Sequence, residues 1–158
     1  MSNTTSNVGF YTFLENDVVD WAYINKNFEK LDVMALCIES GTKAAAYSGG
    51  ASGNATWYYK KYSDGTIELY TKLEFDNIKC TGGAAAPYYS DSIKVLFPFT
   101  ISYVDDVQMH LTSDTIGWIA DITGKGVVDC AIFRIMSMTS ESSNISKRVY
   151  INMKGRWK

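Results

Sequence analysis

The sequence predicts a mainly β protein, an antiparallel sandwich or barrel preceded by an N-terminal α-helix. Three observations predict it. Apolar residues recur at helical spacing between Asp17 and Glu39, the stretch after it is almost all Ala, Gly and Ser, and from Trp57 onward short alternating runs are punctuated by turn residues. These divide the chain into an arm and helix over 1–42, a Gly/Ala/Ser linker over 43–54 and a β-rich head over 55–158.

The helix is carried by Trp21, Ile24, Phe28, Leu31, Ala35 and Ile38. Their steps of three and four put them on one face. Asn16 or Asp17 caps the start by accepting a free N–H, and Gly41 ends the helix by tolerating a left-handed backbone. As heptads, Trp21, Phe28 and Ala35 are a positions and Ile24, Leu31 and Ile38 are d positions. Ile at d is crowded in a parallel dimer, so self-association favours three strands. The seam is shorter than three heptads, which leaves an ordinary amphipathic helix open. Val33 to Ile38 is apolar on every side, so either the chain's own domain or neighbouring copies must enclose that end.

Residues up to Ser6 read as disordered, and Val8 to Leu14 as a short extended segment suited to docking on a partner. In the head, Trp57–Ser63 and Thr66–Phe75 flank Asp64-Gly65, a dipeptide that suits a two-residue hairpin turn. That turn pairs Tyr62 with Ile67, Lys61 with Glu68, Tyr59 with Tyr70 and Trp57 with Lys72. Ile67, Leu69, Leu73 and Phe75 then line the core, and a three-residue loop with a bulge would shift the register by one. Thr81–Ser92 reads as a long surface loop. Ile93–Ile101 reads as a strand that Pro98 restricts to an edge or a bulge.

Four further segments complete the head: Asp106–Leu111, Thr115–Ile122, Val127–Met138 after a Thr123–Gly126 turn, and Ile145–Trp157. The last alternates cleanly, with Ile145, Val149, Ile151, Met153 and Trp157 against Ser146, Arg148, Asn152, Lys154 and Arg156. Val127–Met138 is apolar on both faces. It needs cover from its own second sheet and from something else, such as another subunit.

Several function classes are disfavoured. Net charge is −2 with scattered Lys and Arg, which gives no footprint for nucleic acid or an anionic membrane. The apolar runs are too short for membrane insertion, and the first residues lack the pattern of a signal peptide, so cytosolic synthesis is expected. Cys37, Cys80 and Cys130 are widely spaced, so no metal site and no cofactor is expected. His110 is the single histidine, no nucleophile elbow surrounds a serine, and Asp105-Asp106 point to opposite faces of a regular strand. No catalytic residues are assigned. Exposed aromatics with amide or carboxylate neighbours suit saccharide binding, which nominates Tyr88, Tyr89, Trp118 and Asp121.

Three motifs add a resemblance. Ile24-Asn-Lys-Asn-Phe-Glu-Lys-Leu-Asp32, the Trp57–Tyr70 hairpin and Val95-Leu-Phe-Pro-Phe99, together with the ending Gly155-Arg156-Trp157-Lys158, resemble tail-fibre and receptor-binding proteins of bacteriophages and prophages. The spacing of the final Phe in the third motif differs from that family's pattern. The resemblance implies a homotrimeric virion protein of the phage tail, with residues 1–42 as an N-terminal arm and α-helix forming a short trimeric coiled coil or collar, and residues 55–158 as an antiparallel β-sandwich head. Its head would bind a bacterial surface polysaccharide or teichoic acid during host attachment, without catalysis, and its collar would meet other tail proteins. A monomeric carbohydrate-binding module is the alternative, for which the β head and its aromatics suffice.

Overall fold

The computed structural model describes residues 36–76, 78–113, 115–124, 126–142 and 146–158, with the backbone of 3–4 and 11–12. Asn3–Thr4 (β1) pairs with Tyr11–Thr12 (β2). The remaining strands are β3 (Cys37–Gly49), β4 (Gly53–Tyr62), β5 (Thr66–Phe75), β6 (Tyr88–Tyr89), β7 (Ile93–Leu96), β8 (Tyr103–Ser113), β9 (Gly117–Asp121), β10 (Cys130–Ser137) and β11 (Lys147–Arg156). These nine form one antiparallel sheet. Its order is β7-β3-β4-β5-β11-β8, with β10 beside β7 and β6, and β9 on the far side of β10. The sheet curls, and β8 and β9, at its two ends, are joined across 114–116.

The curl encloses one core. Trp57, Ile67, Leu69, Leu73 and Phe75 from one hairpin meet Phe133 and Ile135 of β10 and Val149, Ile151 and Met153 of β11. Residues in register phase with these point inward, and their neighbours point out.

The Asp64-Gly65 hairpin forms with a different loop from the two-residue turn. Gly65 N donates to Tyr62 O at 3.1 Å and Gly65 takes φ +87°, the left-handed conformation of a bulge glycine. The Thr66 backbone amide (2.8 Å) and then its hydroxyl (2.9 Å) bind Asp64 and hold its carboxyl below the usual range. The extra loop residue moves the register by one. Trp57 faces Thr71, Tyr58 faces Tyr70 and Lys60 faces Glu68. The predicted core residues of β5 stay buried, but Trp57 turns inward instead of facing Lys72.

The linker and the end of the predicted helix are both corrected. Residues 43–49 belong to β3 and Gly53 opens β4, so the Gly/Ala/Ser stretch is a hairpin inside the sheet. Its small side chains answer close packing rather than flexibility: a Cβ on Gly49, at φ +111°, would lie 1.9 Å from the Ser92 carbonyl oxygen. Cys37–Glu39 is also strand. Glu39 accepts bonds from Tyr59 Oη (2.8 Å) and Lys61 Nζ (3.0 Å), which tie this segment to β4. Ile38 is therefore a strand residue, exposed at 55%. Trp21, Ile24, Phe28, Leu31 and Ala35, and with them the rest of the seam, lie outside the described residues.

Two further segments differ from the reading. Tyr88–Tyr89, within the predicted loop, pairs with β10, and β7 stops at Leu96, two residues before Pro98. In β10, Ala131, Phe133 and Ile135 are wholly buried, while Ile132, Arg134 and Met136 on the other phase are only half-buried.

Candidate functional site

Five adjacent strands, β3, β4, β5, β11 and β8, present rows of side chains on the outside of the curl. One row runs Thr42, Tyr58, Tyr70, Asn152, Gln108, each the register partner of the next. The row beside it runs Ser40, Lys60, Glu68, Lys154, Asp106. They are on this face because their neighbours Leu69, Ile151 and Met153 are drawn into the core, and strand side chains alternate. Five strands span about 19 Å.

These rows line a groove of about 670 Å³, within the usual size of a ligand site. Tyr58 and Tyr70 lie side by side with ring centres 6.1 Å apart and planes tilted by 40°. Tyr58 is 56% exposed. Gln108 Nε2 donates to Asp106 Oδ2 at 2.8 Å and Tyr62 Oη to Glu68 Oε2 at 2.9 Å, which fixes two of the polar groups. Charges alternate in sign along the second row, so the groove carries both signs and little net field. The groove thus offers aromatic faces to C–H surfaces and amides to hydroxyl groups.

The four residues nominated from the sequence divide between two sheet phases. Tyr89 and Trp118 are both register partners of Met136, so they share the outer face of β10 with Met136 between them. Arg134 stacks on the Tyr89 ring at 5.0 Å and bonds Ser92 Oγ. Tyr88 and Asp121 fall on the opposite phase. Tyr88 packs against the core, and Asp121 accepts the Thr123 amide at 2.8 Å. The quartet is therefore not one site.

The reading of Asp105-Asp106 also changes. The β11–β8 register slips between Lys154 and Gly155, which opposes Lys154 to Asp106 and Gly155 to Val104 and leaves Asp105 as the bulged residue. Both acids are exposed because strict alternation is interrupted there. A Cβ at Gly155 would lie 2.4 Å from Tyr103 O, so the two strands approach closely beside the bulge.

A second polar constellation is buried. The Glu141 carboxylate accepts from Lys147 Nζ, from Ser137 Oγ at 2.7 Å and from the Thr115 hydroxyl, with both members of the ion pair about 1–2% exposed. Cys80 and Glu141 exchange backbone bonds of 2.9 and 3.1 Å beside it. Burial pushes the Glu141 carboxyl up, but the bonds from Lys147, Thr115 and Ser137 outweigh it and hold the group below its usual range. Burial also pushes the Cys80 and Cys130 thiols up to about 11, so both stay protonated at neutral pH. His110 sits on the outer face of β8, its ring 6.3 Å from that of Tyr150. Among the described residues no group of three or more His, Cys, Asp or Glu is placed to hold a metal.

No protein-family model, curated protein or solved structure matches the chain.

Spacing alone does not single out Tyr58, Asn152 or Gln108: a two-residue turn sets Tyr59 opposite Tyr70, and Asn152 and Gln108 join the row only through the pairing of β5, β11 and β8. Lys147 did leave a signal. It occupies the apolar phase of the last strand, in step with Val149, Ile151 and Met153.

Proposed function

We propose that this chain is a non-catalytic adhesion protein of a phage tail that binds neutral saccharide on a bacterial surface and works in the virion as a homotrimer. The observation that carries saccharide binding is the Thr42–Tyr58–Tyr70–Asn152–Gln108 row, with its exposed ring pair and amides lining one groove. The tail assignment is supported by the resemblance of the helix, hairpin and closing motifs. Trimer formation is supported by the outer face of β9 and β10, where Trp118, Ile122 and Met138 are 42–49% exposed beside half-buried Ile132 and Met136. A monomeric carbohydrate-binding module is the second reading. It is favoured by the complete burial of Phe133 and Ile135 within one chain.

A glycan array with the intact protein tests the binding reading, followed by titration of the best neutral oligosaccharide. Tyr58→Ala is expected to weaken that binding roughly tenfold, the loss of about 1.4 kcal/mol typical of one aromatic anchor. Tyr103→Ala, which removes a slightly more exposed tyrosine outside the groove, is expected to leave it unchanged. Equal affinities for wild type and Tyr58→Ala would remove the groove as the site.

A further inference from the structure

Among the described residues, β3 is paired along one side only for most of its length. β4 accompanies it from Cys37 to Tyr47, whereas β7 joins its other side only at Tyr47, Ser48 and Gly49. β7 then leaves the strand, and Phe97 N donates to Asp129 O at 2.8 Å. Among the described residues nothing pairs with the open side from Ile38 to Ala46, and Ile38–Ala44 are exposed.

Such an edge is an open template for another strand, and proteins usually blunt it with bulges, charges or proline. The other long edge is blunted, since β8 carries the Asp105 bulge and two adjacent acids. The open run of β3 has a register shift of its own at Ile38, but from Glu39 to Ala46 its ladder is regular, with no proline, mostly small side chains and two charges of opposite sign.

We infer that this edge pairs antiparallel with the same strand of a second copy, about a twofold axis at Gly41. Backbone polarity and charge select this register. Gly50 N donates to Ser92 O at 3.1 Å, so even-numbered residues of this strand turn their N–H and C=O toward the β7 side. The two-residue period then aims those of Ser40, Thr42 and Ala44 at the open edge. An axis at Gly41 opposes Ser40 to Thr42 of the second copy, so the hydrogen-bonding residues meet. The same register opposes Glu39 to Lys43 of the second copy, twice by symmetry, in the closer non-hydrogen-bonded pairs where opposite charges stabilise. Gly41, with no side chain, sits on the axis.

The polar outer face then continues across both copies, since the Thr42 row of one meets the Ser40 row of the other. The pairing does not depend on what the groove binds.

Light scattering on the full chain at micromolar concentration tests the proposal. A twofold contact gives an even number of copies. Lys43→Glu places like charges at both Glu39 contacts and is expected to halve the measured mass. Thr42→Pro removes an N–H that faces only the open side, so it leaves the β3–β4 ladder intact and is expected to halve the mass as well. Far-ultraviolet circular dichroism of both variants should match wild type. An odd number of copies in wild type, or a mass that neither substitution changes, overturns the proposal. Three copies would do so while leaving the threefold reading standing, two would uphold this contact against the threefold, and six would uphold both.

Discussion

Lys147→Met alone is expected to lower unfolding free energy by about 3–5 kcal/mol, because it strands a buried carboxylate whose charge partner is gone. For a chain of this size the loss corresponds to a fall of roughly 6–20 °C in Tm. The double variant Glu141→Gln/Lys147→Met is expected to lose much less. Both charges are then absent, while the amide oxygen still accepts from Ser137 and Thr115. Urea titrations of the two variants measure the difference, and similar losses in both would show that the pair is not acting as a unit.

The same carboxylate gives the fold an acid dependence whose sign follows from its lowered pKa. The folded protein binds the Glu141 proton less readily than the unfolded chain does. Its contribution is therefore complete above the ordinary carboxyl value near 4.5 and is lost as pH falls through the lower folded value. Glu39, Glu74, Asp64 and Asp129 are also lowered, so wild type should weaken through several groups below that point. The urea midpoint of Glu141→Gln should fall less steeply with acid than that of wild type.

Trp57→Ala is expected to cost about 3–5 kcal/mol, the range for deleting a large buried aromatic. Trp57 is fully enclosed, its ring meets Phe97 edge-on at 5.7 Å, and its Nε1 donates to Leu96 O at 3.0 Å. Trp57→Phe keeps most of the volume but orphans that carbonyl, and should cost about 1–3 kcal/mol. Denaturant unfolding of the two variants also decides the hairpin register. A loss below about 0.5 kcal/mol for Trp57→Ala is surface behaviour. It would return Trp57 to the outside, opposite Lys72.

That one-residue slip marks the limit of what the sequence discloses. Alternation alone locates β5 and β11 and assigns Ile67, Leu69, Val149 and Ile151 to the core, because a half-buried strand must alternate whatever its partners are. Alternation does not say whether Asp64-Gly65 closes a two-residue turn or a bulged one, and every cross-strand neighbour follows from that choice. The outer rows became visible only once Tyr58 rather than Tyr59 faced Tyr70. Composition misleads over 43–54 for a related reason: Ala and Gly are the residues of a loose linker, and also those that fit where backbones crowd, as Gly49 does against Ser92. Helical spacing likewise carried the pattern to Ile38, although Glu39 is held to β4 through Tyr59 and Lys61. The charged cluster was legible in part, through Lys147 on an apolar phase. Its partner was not, because Glu141 lies outside any periodic segment.

The position of β11 between β5 and β8 has a consequence for the order of events during synthesis. Every other described strand leaves the ribosome before it, yet the middle of the sheet stays split until it inserts. Two bare borders must wait apart, each exposed to strand exchange or clumping, until β11 is made. Closure is thus a long-range step that waits for the last described strand, and the sheet is most prone to mispairing in the interval before β11 inserts.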